Sequence, residues 1–141
     1  MKILLVNPNT TSSMTDKAGE AARMVVASGT EIIAVNPEYG PISIEGYYDE
    51  VFSIPGLLEE VRKGEASGCH GTVIACFDDT GLDAARCIAS GPVVGICEAA
   101  TVFAVSPALS VIEEVVLGLT SKIFTAHTPF PASEPKRSLR F

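Results

Sequence analysis

Residues 73–81 have the sequence VIACFDDTG, which gives the clearest local indication of the fold of this chain. A short apolar run ends at Cys76, and an aromatic residue, two acids, a threonine and a glycine follow it. Apolar runs of this length are typical of a buried strand in a parallel sheet. Asp79 or Thr80 can cap a following helix, because the side-chain oxygen of either accepts from a free N–H group. We therefore predict that Cys76 lies where the carboxyl end of a strand meets the N-terminus of a helix.

Two interpretations of Cys76 stay open from this spacing alone. A thiol near a helix N-terminus is close to unpaired N–H donors and to the positive end of the helix dipole, which favour the reactive thiolate. Open α/β sheets also bind ligands at this edge. Most free cysteines, however, simply pack in a core. The two consecutive acids after the run indicate that the chain has reached the surface there, which favours the first interpretation.

The composition argues against several function classes. The 141 residues are 47 % hydrophobic and 19 % charged, which suits one globular domain. The apolar residues come in short runs, and none approaches the ~20 residues that cross a bilayer, so we expect no membrane partner. The net charge is −7. We therefore expect no nucleic acid partner, because phosphate binding needs a basic face.

The four cysteines show no metal-binding spacing. Cys69, Cys76, Cys87 and Cys97 form no C-x-x-C pair, so we predict no metal site. The apolar run at residues 2–6 is too short for the core of a signal peptide. We therefore expect a cytoplasmic protein with reduced thiols.

Alternating strand and helix patterns predict an α/β fold with an open, mostly parallel sheet and helices on both faces. Strands are expected at residues 2–6, 31–35, 73–76, 93–96, 102–105 and 122–125. Helices are expected at residues 13–27, 57–66, 82–89 and 107–117. We expect a first α/β lobe at residues 1–100, a continuation or partial second lobe at 101–126, and a disordered Pro-rich tail at 127–141.

Residues 37–53 have no clear hydrophobic period. An irregular connection of this length is unusual in a compact α/β domain, and long loops are often functional. The alternative is that Ile42 and Ile44 form a short edge strand. The sequence leaves both open.

Three segments together resemble one enzyme family. They are residues 3–10 (ILLVNPNT), residues 43–46 (SIEG), and residues 74–81 (IACFDDTG) continuing to residues 95–100 (GICEAA). On these segments the chain resembles the hydantoin and allantoin racemases of the aspartate/glutamate racemase superfamily. The likeness covers roughly residues 1–100.

The resemblance implies two similar flavodoxin-like α/β halves with the active site between them, and one cysteine from each half. One thiolate would remove the proton from the chiral C5 of a cyclic ureide, such as a 5-substituted hydantoin or allantoin. The other thiol would return a proton on the opposite face, without a cofactor or metal. By position, Cys76 matches the first-half cysteine. The matched substrate-lining positions are Asn9, Ile44, Phe77, Asp78 and Asp79.

The backbone N–H groups of the aromatic residue and the two acids would, by the same resemblance, stabilise a developing enolate oxyanion. A second half should carry its own strand-end cysteine, and no cysteine follows Cys97 in this sequence. We therefore expect the chain to correspond to the first half, truncated before the second. Half of a two-lobed fold leaves an apolar face uncovered, so we also expect a homo-oligomer. The alternative is a non-catalytic remnant domain that binds a small molecule or self-associates.

Overall fold

The computed structural model describes residues 1–105, in which strands and helices alternate along the chain. In chain order the elements are β1 (Lys2–Val6), α1 (Ser12–Val25), β2 (Glu31–Val35), α2 (Tyr47–Ala66), β3 (Gly71–Ile74), α3 (Leu82–Ile88), β4 (Val93–Gly95) and α4 (Ile96–Val105).

The four strands form one parallel sheet in the order β2-β1-β3-β4. Leu5 of β1 lies between Ala34 of β2 and Val73 of β3, and Thr72 of β3 pairs with Val93 of β4. Parallel neighbours need a crossover connection, and helices provide it here. The predicted α/β fold with a parallel sheet is therefore confirmed.

Side chains of β1 alternate between the two faces of the sheet, as the pleat requires. Leu4 and Val6 pack with α2, α3 and the neighbouring strands in one cluster, whose further buried members are Leu57, Val61, Ile74, Leu82, Ala85 and Val93. Leu5 points to the opposite face, where it packs with Ala18 and Ala22 of α1 and with Ile32 of β2. Helices thus cover both faces, as the sequence predicts.

An apolar groove of about 340 Å³ runs beside α1 on this second face. Ile3, Leu5, Val73 and Ala75 form its floor, and Val25 of α1 lies on one of its walls. Its other lining residues are Met1, Ala22, Val26, Ala27, Thr30, Ile32 and Ile96. In residues 1–105, α1 therefore covers this face only in part. None of the helices in the same residues combines the length and the apolar character that a bilayer crossing requires.

The second helix begins ten residues earlier than predicted. It starts at Tyr47 and continues through Pro55, and residues 36–46 before it form a loop without a strand. Proline removes one helical hydrogen bond. Tertiary packing overrides this local preference: Ser53 and Leu57 are fully buried, and Gly56 lies so close to Pro37 that an ideal Cβ would sit 2.7 Å from it. Of the two alternatives for this segment, the edge strand is wrong.

The strand predicted at residues 102–105 is also wrong, because these residues form the end of α4. A short apolar run does not distinguish a strand from a buried helical segment. The expected lobe boundary at residue 100 falls inside the same helix. The helix predicted at 107–117, the strand at 122–125 and the tail at 127–141 lie outside the described residues.

Candidate active site at the carboxyl edge of the sheet

All four strands present their carboxyl ends at one edge, because the sheet is parallel. Polar and thiol side chains follow the strands there. Asn7 and Asn9 come after β1, Asn36 after β2, Cys76 after β3 and Cys97 after β4. The fold therefore brings together side chains that are far apart along the chain.

Cys76 begins a tight turn directly after β3. The Asp79 N–H donates to the Cys76 carbonyl oxygen at 3.1 Å, and the Asp79 backbone has a φ of +49°. Aspartate is one of the few residues with a side chain that tolerate this left-handed region. The turn reverses the chain within four residues and leaves the Cys76 side chain half-buried at the sheet edge.

The thiol of Cys76 contacts a hydroxyl group from the same turn. Its Sγ lies 3.5 Å from Oγ1 of Thr80, a residue with no exposed surface. Resemblance and spacing did not single out Thr80 as a site residue. The sequence feature that could have identified Thr80 is its position four residues after Cys76 across a turn, which brings the two side chains to the same side.

A cleft of about 460 Å³ opens in front of Cys76. One wall is the turn after β3, which contributes Cys76, Phe77 and Asp78; the other wall is the segment before α2 with its first residue, namely Ile44, Glu45, Gly46 and Tyr47. Four of the six residues singled out from the sequence therefore meet in one cleft. Phe77 is 47 % exposed at its edge. Tyr47 was missed, although it belongs to the segment identified as a possible functional loop.

Asn9 is not part of the cleft lining, and its side chain shapes the turn after β1. Its Oδ1 accepts from Asn7 Nδ2 and from the Thr11 N–H, both at 2.9 Å. Thr11 in turn donates through Oγ1 to the Ile42 carbonyl oxygen at 2.8 Å. This turn therefore anchors the loop that carries Ile44 into the cleft.

Asp79 is also absent from the cleft lining, because its carboxylate caps α4. Oδ1 accepts from the Cys97 N–H at 3.0 Å, and Oδ2 accepts from the Glu98 N–H at 2.7 Å. An ideal Cβ at Gly95 would overlap this carboxylate, so only glycine leaves room for it. The prediction that Asp79 or Thr80 caps α3 is wrong: α3 begins after Gly81 without a side-chain cap.

Arg86 of α3 makes a second connection to α4. Its guanidinium donates to both carboxylate oxygens of Glu98, at 3.0 and 2.5 Å, and to the Val93 carbonyl oxygen. The hydrogen bonds from Arg86 lower the pKa of Glu98 below its ordinary value. The turn after β3, through Asp79, and helix α3, through Arg86, are thus both tied to the helix that follows β4.

Among residues 1–105, no three His, Cys, Asp or Glu side chains lie close enough together to hold a metal ion. The described cleft offers one thiol (Cys76), two carboxylates (Glu45 and Asp78), the phenol of Tyr47 and backbone amides, beside the apolar side chains of Ile44 and Phe77. A thiol in such a position can exchange a proton with a bound molecule.

Comparison with known proteins identifies the family. The sequence model of the Asp/Glu/hydantoin racemase family matches residues 3–117. The chain belongs to this family. It is 54 % identical to a hydantoin racemase of Rhizobium meliloti over 135 residues, which are 96 % of this chain and 51 % of that protein. It is 52 % identical to a hydantoin racemase of Pseudomonas sp. (strain NS671) over 104 residues, 74 % of this chain and 42 % of that protein.

Solved structures of racemases share the fold. An allantoin racemase from Klebsiella pneumoniae superposes with a TM-score of 0.72 at 42 % identity, covering 90 % of this chain and 56 % of that one. An allantoin racemase from Pseudomonas fluorescens gives a TM-score of 0.71 at 28 % identity, covering 86 % and 56 %. The chain therefore spans about half the length of these racemases and corresponds to half of the racemase fold.

Replacing Asp79 with alanine should lower the free energy of unfolding by about 1–2 kcal/mol, the usual cost of losing a helix N-cap. The matched control is Asp78→Ala, because Asp78 is exposed in the same turn; we expect it to stay within about 0.5 kcal/mol of the wild type. Urea unfolding followed by circular dichroism measures both. Equal stability of the two variants would contradict the capping role.

Proposed function

We propose that this chain supplies one proton-transfer half of a cofactor-independent racemase that acts at C5 of a cyclic ureide, either a 5-substituted hydantoin or allantoin. The observation that carries the proposal is Cys76 itself. In a chain of the racemase family, its thiol stands on a tight turn and lines a cleft large enough for a five-membered ring.

The proton transfer needs no metal in this proposal. The C5–H of a hydantoin is acidified by the neighbouring ring carbonyl, so a Cys76 thiolate can take the proton while the C–H electron pair moves into an enolate. Backbone N–H groups aimed at the enolate oxygen would stabilise it. Phe77 and Asp78 line the cleft beside the thiol, which supports their assignment to ureide binding. Ile44 faces them as an apolar wall.

Asn9 and Asp79 enter the proposal in a different role. The Asp79 N–H is already donated to Cys76, and its carboxylate is occupied by α4. The Asn9 amide oxygen is occupied within its own turn. Both residues therefore support the cleft rather than line it. One thiol reaches only one face of C5, so the opposite face needs a second acid, which we assign to the half of the racemase fold beyond the matched span.

The second candidate function is a domain that binds a ureide or only self-associates, without turnover. The observation in its favour is that the chain spans about half the length of its relatives. The absence of a nucleic acid partner and a cytoplasmic location stay predictions of the sequence.

Deuterium exchange at C5 distinguishes these functions. In D₂O, the wild-type chain should remove the C5–H signal of a single hydantoin enantiomer faster than buffer alone, measured by proton NMR. Cys76→Ser should return the rate to that of buffer. Cys87→Ser is the matched control, since Cys87 is an exposed thiol on α3, and it should behave as the wild type does.

Exchange that persists in Cys76→Ser would show that Cys76 is not the base. A wild-type rate equal to that of buffer, combined with measurable ureide binding, would favour the non-catalytic domain. Exchange without loss of optical activity would be the result expected of a single thiol.

We also propose that the chain self-associates through the apolar groove beside α1. Burial of the groove against a second copy removes apolar surface from water.

Val25→Glu introduces a charge on a wall of the groove and should shift the chain toward monomer in sedimentation velocity. Met24→Glu is the control, because Met24 is 62 % exposed on the same helix and lies outside the groove lining. A monomeric wild type at tens of micromolar, where exposed apolar surface commonly drives association, would contradict this.

A further inference from the structure

We propose that Thr80 is a positioning residue for the Cys76 thiol. Its hydroxyl holds the sulfur at the cleft. It donates to the sulfur when Cys76 has lost its proton and accepts from the S–H when Cys76 has gained one. The inference rests on the proposed function only where it assigns proton transfer to Cys76. The contact itself, 3.5 Å between Sγ and Oγ1, is independent of turnover.

The burial of Thr80 gives this contact its weight. Thr80 has no exposed surface, whereas Cys76 is half-buried at the cleft. A buried hydroxyl needs a hydrogen-bond partner, and none of the buried side-chain polar atoms in residues 1–105 lacks one. Within that part of the chain, the Cys76 sulfur is the side-chain partner that the structure gives to this hydroxyl.

The backbone on both sides keeps Thr80 in place. Asp79 before it and Gly81 after it both have left-handed backbones, with φ of +49° and +72°. An ideal Cβ at Gly81 would lie 2.6 Å from Cδ2 of the buried Leu57, so the chain passes close to the core there. Asp79 is fixed further by its hydrogen bonds to α4. Thr80 is therefore held from both directions with its hydroxyl toward the sulfur.

A hydroxyl suits a group that alternates between thiolate and thiol, because it can donate or accept. When Cys76 is a thiolate, the Thr80 O–H donates to the sulfur in a charge-assisted hydrogen bond. After the C5 proton has moved to the sulfur and the electron pair has stayed on the substrate as an enolate, the S–H can donate to Oγ1. Only the hydroxyl proton rotates, and Thr80 neither gains nor loses a proton.

The alkylation of Cys76 by iodoacetamide tests this role in the chain as it stands. Peptide mass spectrometry separates Cys76 from the other three thiols. In Thr80→Val, which keeps the shape and removes the hydroxyl, we expect alkylation of Cys76 at neutral pH to be about tenfold slower, because the thiolate has lost a donor. The pH profile of alkylation should move to higher pH. Thr80→Ser restores the hydroxyl and should restore the wild-type profile.

Thr72→Val is the matched control, because Thr72 is a second buried threonine, on β3, whose hydroxyl makes no hydrogen bond to Cys76. An unchanged rate and profile in Thr80→Val would overturn the inference. So would a Thr80→Ser variant as slow as Thr80→Val, since packing of the methyl group would then be the cause.

If Thr80→Val does not fold, the Raman S–H band of Cys76, in a chain whose other cysteines are changed to serine, tests the same hydrogen bond. A band shifted from that of a free thiol is expected, and an unshifted band overturns the proposal.

This experiment separates the inference from the proposed function. A slower Thr80→Val with no C5 exchange in the wild type would leave the positioning role standing and remove the racemase activity. C5 exchange together with an unaltered Thr80→Val would remove only the positioning role.

Discussion

Parallel pairing of the strands is the constraint on which the site depends. Because β3 lies between β1 and β4 in the same direction, the turns that follow these strands lie at one edge. The turn after β3 can then place the Asp79 carboxylate on the first amides of α4. A negative charge at a helix N-terminus is stabilised by unpaired N–H groups and by the helix dipole. This interaction joins the turn that carries Cys76 to the helix that carries Cys97.

Local patterns predicted the part of this arrangement that local physics controls. The apolar run at residues 73–75 and the polar residues after it were enough to place Cys76 just after the end of a buried strand, which ends at Ile74. The predicted helix N-terminus at Cys76 is wrong, because α3 begins only at Leu82. The partner of Asp79 could not be predicted in this way, because the amides that it caps are 18 and 19 residues away. The path of α2 through Pro55 depends on tertiary packing. The apolar residues 102–105 fit a strand as well as a helix.

In the candidate site, too, short motifs predicted some features and tertiary structure determined the others. Ile44, Phe77 and Asp78 lie with Cys76 around one cleft, as the matched segments suggested, whereas Asn9 and Asp79 use their side chains within the protein. Short motifs predict which residues gather at this edge of the sheet, but they do not predict which side chains line the cleft and which form hydrogen bonds within the protein. Relatives of about twice the length support the proposal that a second half completes the cleft.

We propose that a cyclic ureide binds in the cleft between residues 44–47 and the turn at residues 76–78. The most direct test is a titration of the ¹⁵N-labelled chain with a 5-substituted hydantoin, followed through backbone amide shifts. The largest changes should fall at these two segments, and the same titration of Cys76→Ser should keep them, because binding does not require the thiol. An absence of changes, or changes confined to the apolar groove around Ile3 and Val73, would contradict ureide binding in this cleft.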